Sequence, residues 1–217
     1  MKRVILGLFC LIFSLQLSAQ TYDEYISQAM DAIETDSLAK AEMFFKEALK
    51  LEPANIKNAL LFSNLGTIQR RIGKKKEALE AYSLALNLTP YSITILLNRA
   101  SLYLEMDMLD KAYLDYCNVI DLDAKNKEAL QFRAYVYMRR RQYMEARLDY
   151  QRLLAEEPGN KTARVGIAMV NQKDKRYREA LEELNRLITD YPRDVSLLKA
   201  RAELEVEMNS LELALLD

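Results

Sequence analysis

Residues Ala59 to Ser92 read ALLFSNLGTIQRRIGKKKEALEAYSLALNLTPYS. Two runs of apolar residues at helical spacing are separated at Arg71-Ile72-Gly73, and Pro90 follows the second run. Because glycine and proline interrupt helices, the pattern predicts two helices joined by a tight turn. The same pattern occurs again before and after this stretch, with a period of 34 residues. The chain is therefore expected to be a repeat protein.

Repeats of this period cover nearly the whole chain. With Ala59 counted as position 1, the period predicts repeats over 22–55, 59–92, 93–126, 127–160 and 161–194, and a partial repeat over 195–217. Ile56-Lys57-Asn58 is an insertion between the first two. The composition agrees with a helical protein, because only five glycines and four prolines occur in 217 residues.

The prediction rests on three positions of the repeat. Position 8 is always small: Ala29, Gly66, Ala100, Ala134, Ala168 and Ala202. Position 20 is always alanine: Ala41, Ala78, Ala112, Ala146, Ala180 and Ala214. Position 32 holds all four prolines: Pro53, Pro90, Pro158 and Pro192. Two helices approach closely only where the facing side chains are small, so positions 8 and 20 should mark the helix crossing, with larger residues such as Tyr82 around it. Proline at position 32 should end the second helix.

These marks resemble the tetratricopeptide repeat, whose small, aromatic and proline positions fall in the same columns. The resemblance covers Tyr22 to Asp217 and is most specific in repeats two to four, whereas Gln28 and Arg164 stand at usually apolar positions of repeats one and five. It implies an all-α, right-handed α-solenoid of antiparallel helix hairpins, about five and a half repeats long. It also implies a concave face that binds other polypeptides. Periodicity alone indicates only a helical solenoid.

Positions 2, 5, 9 and 12 lie opposite the packing side of each first helix, so they are expected to line the inner face. Their apolar members concentrate in repeats three to five and, with Arg70 from repeat two, form the first candidate set for a groove: Arg70, Leu97, Tyr135, Met138, Val165 and Met169. Tyrosine and methionine suit an irregular apolar partner, so we expect Tyr135, Met138, Val165 and Met169 to hold the hydrophobic anchor of a bound peptide or helix. The alternative is that they are ordinary half-buried residues of a tight superhelix.

Asn64 and Asn98 both stand at position 6 and complete the candidate groove. An asparagine side chain both donates and accepts, so it can pair with a peptide backbone, a use that the family resemblance also implies. The family's clamp for chaperone tails needs Lys and Arg on the inner face. Position 5 here reads Ile26, Ser63, Leu97, Gln131, Val165 and Lys199, so that clamp is not expected.

Two basic runs, Lys74-Lys75-Lys76 and Arg139-Arg140-Arg141, fall at the turns between paired helices. A solvated, charged turn is one interpretation. Contact with an anionic membrane surface or an acidic partner is the other, and it is favoured if both turns face one edge.

Composition excludes several classes of function. The net charge of −1 does not supply the basic face that nucleic acid requires. The chain has no histidine, which is the commonest general base and metal ligand. No paired carboxylates, Gly-rich phosphate loop, cysteine cluster or nucleophile elbow occurs. We therefore expect no enzyme activity, no cofactor and no metal site.

The first 20 residues are of another kind. Lys2 and Arg3 precede the apolar run Val4 to Leu17, and Ser18-Ala19-Gln20 follows, which is the order of a secretory signal peptide. The run is shorter than the roughly 20 residues of a membrane-spanning helix, although a retained anchor is the alternative. Cleavage near Ala19 or Gln20 would give an exported, periplasmic or envelope-associated protein, and the ending resembles that of bacterial exported proteins. Cys117 would then be the only cysteine and is read as a small core residue.

The last residues, Asn209 to Asp217, carry four leucines: Leu211, Leu213, Leu215 and Leu216. This is more apolar surface than one neighbouring helix covers. We expect an adhesive C-terminal edge that serves self-association or a partner subunit, with a folded-back cap as the alternative.

Together these observations predict a non-enzymatic scaffold that binds polypeptide segments in a concave groove, in the bacterial cell envelope. One alternative is an envelope-assembly component that works at a membrane surface through the basic turns. Another is an accessory protein that binds carbohydrate or a small ligand, against which the absence of tryptophan counts.

Overall fold

The computed structural model describes residues 20–208, and within them the chain forms eleven α-helices and no strand. The helices are α1 Tyr22–Glu34, α2 Leu38–Leu51, α3 Asn58–Arg71, α4 Lys75–Leu88, α5 Ile93–Glu105, α6 Leu109–Leu122, α7 Lys127–Arg139, α8 Tyr143–Glu156, α9 Lys161–Lys173, α10 Tyr177–Asp190 and α11 Val195–Glu207. They pack as adjacent pairs, which we call hairpins 1 (α1–α2) to 5 (α9–α10), followed by α11. The predicted all-helical class and hairpin architecture are confirmed.

The chain divides into two compact units between Ala54 and Asn55, next to the insertion Ile56-Lys57-Asn58. In the first unit α1 and α2 pack on each other. In the second unit each helix from α3 to α11 packs on the next one along the chain. There α3 also contacts α5, and α7 contacts α9, so the first helices of neighbouring hairpins lie side by side. This arrangement gives the second unit a surface built from first helices.

The small-residue columns lie at the helix crossings. At position 20, five alanines have no exposed surface: Ala41, Ala78, Ala112, Ala146 and Ala180. At position 8, Gly66 and the alanines of hairpins 1, 3, 4 and 5 are buried as well: Ala29, Ala100, Ala134 and Ala168. A Cβ atom on Gly66 would lie 2.9 Å from Tyr82 Cδ1, so the helices of hairpin 2 approach as closely as glycine allows. The crossings thus occur where the sequence predicts them.

The second helices end just before position 32. In α4 and α8 the last residues are Leu88 and Glu156, two residues before Pro90 and Pro158. Helix α6 ends at the equivalent Leu122, although Ala124 stands in the proline column. The next helix begins with a side-chain cap: the Asn126 Oδ1 accepts a hydrogen bond of 3.0 Å from the Ala129 N–H at the start of α7, as Asn160 Oδ1 does from the Ala163 N–H after Pro158. The second helix of hairpin 3 therefore ends at the same place without proline.

Position 7 of the first helix is polar in hairpins 3 and 4, although it lies on the packing side of the helix. Arg99 and Arg133 stand there and make ion pairs within their own hairpins. The Arg99 Nε and Nη2 donate to the Asp115 carboxylate at 2.8 Å, and Arg133 binds Asp149 in the same way at 2.7 and 2.8 Å. Both aspartates are 3% exposed. Hydrogen bonding to the aspartate raises the pKa of both Arg99 and Arg133, so both guanidinium groups stay charged.

Cys117 belongs to the same polar layer. Arg133 Nη1 donates to its sulfur at 3.5 Å, and the thiol is free and half-buried. The prediction of a core cysteine was therefore only partly right, because Cys117 is half-buried and borders the half-buried guanidinium of Arg133.

Two predicted features lie outside the described residues: the signal peptide up to Ala19, and the C-terminal edge Asn209–Asp217, which includes Ala214. Within residues 20–208, no helix combines the length and the apolar character needed to cross a membrane.

Candidate peptide-binding groove

A cavity of about 430 Å³ opens between hairpins 4 and 5. Its lining is aromatic and sulfur-containing on the inside and basic at the rim: Tyr135, Met138, Tyr143, Tyr150 and Met169, with Arg139, Arg141 and Lys173. We call it the Tyr150 cavity. Tyrosine and methionine present polarizable apolar surface that adapts to the shape of an inserted side chain. The cavity therefore suits an apolar anchor residue.

A second cavity of about 300 Å³ adjoins it between α9, α10 and α11. Val165 lines this cavity, together with Leu184, Leu197 and others, so we call it the Val165 cavity. Met169 and Lys173 line both cavities. The structure thus brings Tyr135, Met138 and Met169 together in one cavity and places Val165 in the next.

Gly166 explains why the Tyr150 ring can lie where it does. A Cβ atom at residue 166 would lie 2.6 Å from Tyr150 Cε2, closer than real contacts allow. One repeat earlier the equivalent residue is Phe132, which stacks on Tyr116 with ring centroids 5.9 Å apart. Because residue 166 has no side chain, the Tyr150 ring packs directly over the α9 backbone. Sequence reasoning missed Gly166, although a glycine inside a predicted helix was the available signal.

Tyr150 is a neutral polar group at the base of the cavity. Only 6% of the residue is exposed, and burial, followed by the charges of Tyr135 and Asp149, raises the pKa of Tyr150 to about 12. Its hydroxyl therefore keeps its proton throughout the physiological range. As a neutral phenol it can both donate and accept a hydrogen bond.

The rim of the cavity is basic. Arg139 donates to the Tyr135 hydroxyl at 3.1 Å and to Asp107 Oδ1 at 2.9 Å, and its guanidinium lies 5.9 Å from the Tyr135 ring centroid. This holds the exposed Tyr135 ring in place. Arg141 and Lys173 are exposed, and within residues 20–208 neither takes part in an ion pair.

The remaining groove candidates lie elsewhere, in hairpins 2 and 3. Arg70 donates to Glu105 Oε1 from Nε at 2.8 Å, so it links the two hairpins. Leu97 packs half-buried against the core. Asn64 and Asn98 are half-buried, and no side chain among residues 20–208 binds their amides. The inner face as a whole is less open than predicted, because Ser63 is buried.

The two basic turns lie on one edge of the second unit, because each reaches the acidic turn of hairpin 3 between them. Lys75 Nζ lies 3.2 Å from Glu105, Arg139 binds Asp107, and Arg140 Nη2 donates to Asp110 at 2.5 Å. The Arg140 guanidinium also lies 4.5 Å from the Tyr113 ring centroid. Much of the basic charge is therefore paired within the protein.

Within the described part of the chain, no cluster of three or more His, Cys, Asp or Glu residues could hold a metal ion. The two cavities are lined by aromatic, thioether, amide and cationic groups, which can contact the side chains of a bound peptide.

Family models described as "Tetratricopeptide repeat" match residues 60–92, 93–126 and 137–204. A crystal structure of a tetratricopeptide repeat protein from Parabacteroides merdae is 38% identical, with a TM-score of 0.86, over 91% of this chain and 77% of that one. The first such domain of Spaghetti (RPAP3), bound to the HSP90 peptide SRMEEVD, is 26% identical, with a TM-score of 0.51, over 54% of this chain and 94% of that one.

Among curated proteins, the chain is 40% identical over 68 residues to a UDP-N-acetylglucosamine–peptide N-acetylglucosaminyltransferase of Giardia intestinalis. The match spans 31% of this chain and only 5% of that enzyme. The likeness is therefore confined to a short segment of a far longer protein. From the repeat period, the buried crossings, the family models and the P. merdae structure together, the chain belongs to the tetratricopeptide repeat family.

Proposed function

We propose that this chain is a non-enzymatic scaffold that binds a polypeptide segment along the surface built from its first helices. The observation that carries the proposal is the Tyr150 cavity, in which Tyr135, Met138 and Met169 surround an opening large enough for a side chain. The RPAP3 domain, which is bound to a peptide, supports the same use of the fold.

Peptide display tests this function. A random peptide library is selected on the purified chain and on the double variant Tyr135→Glu, Met169→Glu. Both residues are more than 40% exposed, so the added charges should leave the fold intact while making the cavity unfavourable for an apolar anchor. Peptides that bind the original chain should not bind the variant, and the helices of both chains should unfold at the same temperature. Peptides that bind both chains equally would refute the groove.

A membrane-surface role is the second candidate, favoured by the presence of both basic turns on one edge. Its weakness is the pairing of Lys75, Arg139 and Arg140 with carboxylates. Replacement of Lys76 and Arg141 by glutamine should weaken sedimentation with anionic vesicles if this role is real. Unaltered vesicle binding would dismiss it.

We further propose export to the cell envelope, on the basis of the N-terminal segment. Expression of the full chain in bacteria, followed by N-terminal sequencing of the periplasmic fraction, should give a first residue at Gln20 or Thr21. An intact N-terminus on a membrane-bound protein would instead indicate a retained anchor.

The leucine-rich end, Asn209–Asp217, supports a proposal of self-association. Sedimentation of the chain over a range of concentrations should then show a dimer that disappears when Leu213 and Leu216 are replaced by serine. A single monomeric species at all concentrations would refute it.

A further inference from the structure

The two cavities of the groove differ in charge. The lining of the Tyr150 cavity includes three cations, Arg139, Arg141 and Lys173, and no carboxylate. The Val165 cavity shares Lys173, but its far side on α11 carries Glu203 and Glu207. Charge therefore changes from positive to negative between hairpin 4 and α11.

We infer that the groove selects a peptide by charge order: an apolar anchor in the Tyr150 cavity, an acidic residue beside it and a basic residue over the Val165 cavity. This inference rests on the proposed peptide-binding function and adds the chemistry of the partner.

The cations at the anchor end are available to a ligand. Arg141 and Lys173 are exposed and make no ion pair within residues 20–208, while Arg139 is shared with Asp107. A carboxylate that arrives beside the anchor would receive charge-assisted hydrogen bonds, which are stronger than neutral ones. The apolar walls of Tyr143 and Met169 reduce solvent screening at that point. An acidic residue is therefore favoured there.

The opposite preference holds at α11. Glu203 is 63% exposed in its side chain, and its contact with Lys199 is long, at 3.8 Å. Glu207 is exposed on the same helix, one turn further on. A basic residue of the ligand can reach both carboxylates, whereas an acidic one would be repelled.

The spacing follows from the fold. Packed helices lie about 8–10 Å apart, and an extended peptide advances about 3.3 Å per residue. The cavities are one repeat apart, because the first lies between α7 and α9 and the second between α9 and α11. The basic residue should therefore stand about three residues from the anchor.

Direct binding to designed peptides tests the charge order. One peptide has a central phenylalanine, glutamate next to it and lysine about three residues beyond. A second has the two charges exchanged, and a third has glutamine at both places. Each is made in both chain directions, carries a fluorescent label and is titrated with the purified chain by anisotropy. The first should bind about tenfold more tightly than the second at 0.05 M salt, with a smaller ratio at about 0.5 M.

Reversing charges on the protein provides the complementary experiment. The double variant Arg141→Glu, Lys173→Glu should lose the preference for the first peptide over the second, because Glu203 and Glu207 still disfavour the acidic residue of the exchanged peptide. Arg178→Glu makes a single reversal of the same kind on the exposed side of α10, outside both cavities, and should leave the preference unchanged.

The outcomes separate the inference from the proposed function. If all three peptides bind equally and Met169→Glu abolishes their binding, the groove binds peptides but charge order is refuted. If no designed peptide binds and the random library also yields no sequence that depends on Met169, both the function and the inference fail.

Discussion

Hairpins 4 and 5 have the same pair of helices, but the carboxylate at position 23 is bound by an arginine from a different position in each. In hairpin 4, Arg133 at position 7 binds Asp149 at position 23 with two hydrogen bonds. In hairpin 5, position 7 is Ile167, and Arg164 at position 4 reaches Glu183 at position 23 over 2.6 Å instead. Positions 4 and 7 lie one turn apart on the same helix face, so either can place a guanidinium against the second helix.

The difference teaches how a repeat can keep its fold and acquire a site. In hairpin 4, position 6 holds Phe132, which stacks on the tyrosine of the preceding hairpin. In hairpin 5, Gly166 leaves the equivalent space to the Tyr150 ring, and the cavity opens at this junction. The crossing alanines, Ala146 and Ala180, are fully buried in both hairpins. Architecture and site therefore depend on different columns of the same repeat.

The largest expected effect is on the buried pair of hairpin 4. Arg133→Leu leaves the buried Asp149 carboxylate with only the longer 3.5 Å contact from Arg152, whereas Arg133 and Asp149 are 14% and 4% exposed in their side chains. The free energy of unfolding should fall by about 3–5 kcal/mol, measured by urea denaturation. Adding Asp149→Leu should restore most of it, because the double variant has no buried charge.

Hairpin 5 provides the control. Arg164 also binds Asp190, whose side chain is 51% exposed, and Glu183 is 18% exposed. Arg164→Leu should therefore cost less than half as much. Equal losses in the two hairpins would show that the two arrangements are energetically alike.

Overfilling a crossing should have the next largest effect. Ala146→Leu adds three carbon atoms where α7 and α8 meet and where no surface is exposed, at a cost of about 1–3 kcal/mol by the same measurement. Ala155→Leu makes the same change at an exposed residue of α8 and should be nearly neutral. A harmless Ala146→Leu would mean that the helices can separate at little cost.

Gly166→Ala should change binding more than stability. The new methyl group displaces the Tyr150 ring toward the cavity, while alanine in place of glycine gains about 1 kcal/mol of helix propensity. We expect a nearly unchanged melting temperature and a loss of roughly fivefold or more in affinity for the phenylalanine peptide with adjacent glutamate. An unaltered affinity would contradict the role of Gly166.

Gly66→Ala is the matched change in hairpin 2. Its Cβ would meet the Ala78 carbonyl oxygen at 3.2 Å as well as the Tyr82 ring. Because backbone cannot move aside as a ring can, this variant should lose stability and keep the affinity for the peptide.

The smallest effect concerns pH. Burial raises the pKa of Glu105, but hydrogen bonds from Arg70 and Lys75 outweigh it and hold the pKa below the usual range. A carboxyl with a lowered folded-state pKa stabilises the fold above its unfolded pKa, near 4.5, and loses that stabilisation as pH falls through the folded value. Glu105→Gln should remove roughly 0.5 kcal/mol of the free energy of unfolding at pH 7, since the group is partly exposed, and progressively less as the pH falls below the unfolded pKa.

The sequence was sufficient for the helices and the crossings because both follow from residue size at a fixed period. The pairing of Arg133 with Asp149 was not predicted, since an arginine in a packing column looks like an exception until its partner sixteen residues later is considered. Tyr135, Met138 and Met169 could be grouped from helix geometry alone. The cavity itself depends on how Tyr150 settles over Gly166, which is a property of side-chain packing between repeats.

The turns of the five hairpins share one backbone conformation. Each hairpin bends through a single residue with positive φ, and in order these are Asp36, Gly73, Asp107, Arg141 and Lys175. Glycine and then aspartate adopt this left-handed backbone most readily, yet arginine and lysine occupy it here as well, so residues of different charge stand at the same turn position. Arg141 lines the Tyr150 cavity, and Asp107 accepts a hydrogen bond from Arg139, which lines the same cavity. Four of the five hairpins therefore carry a charged residue at this one turn position, through which ligand preference could be rewritten while the scaffold stays the same.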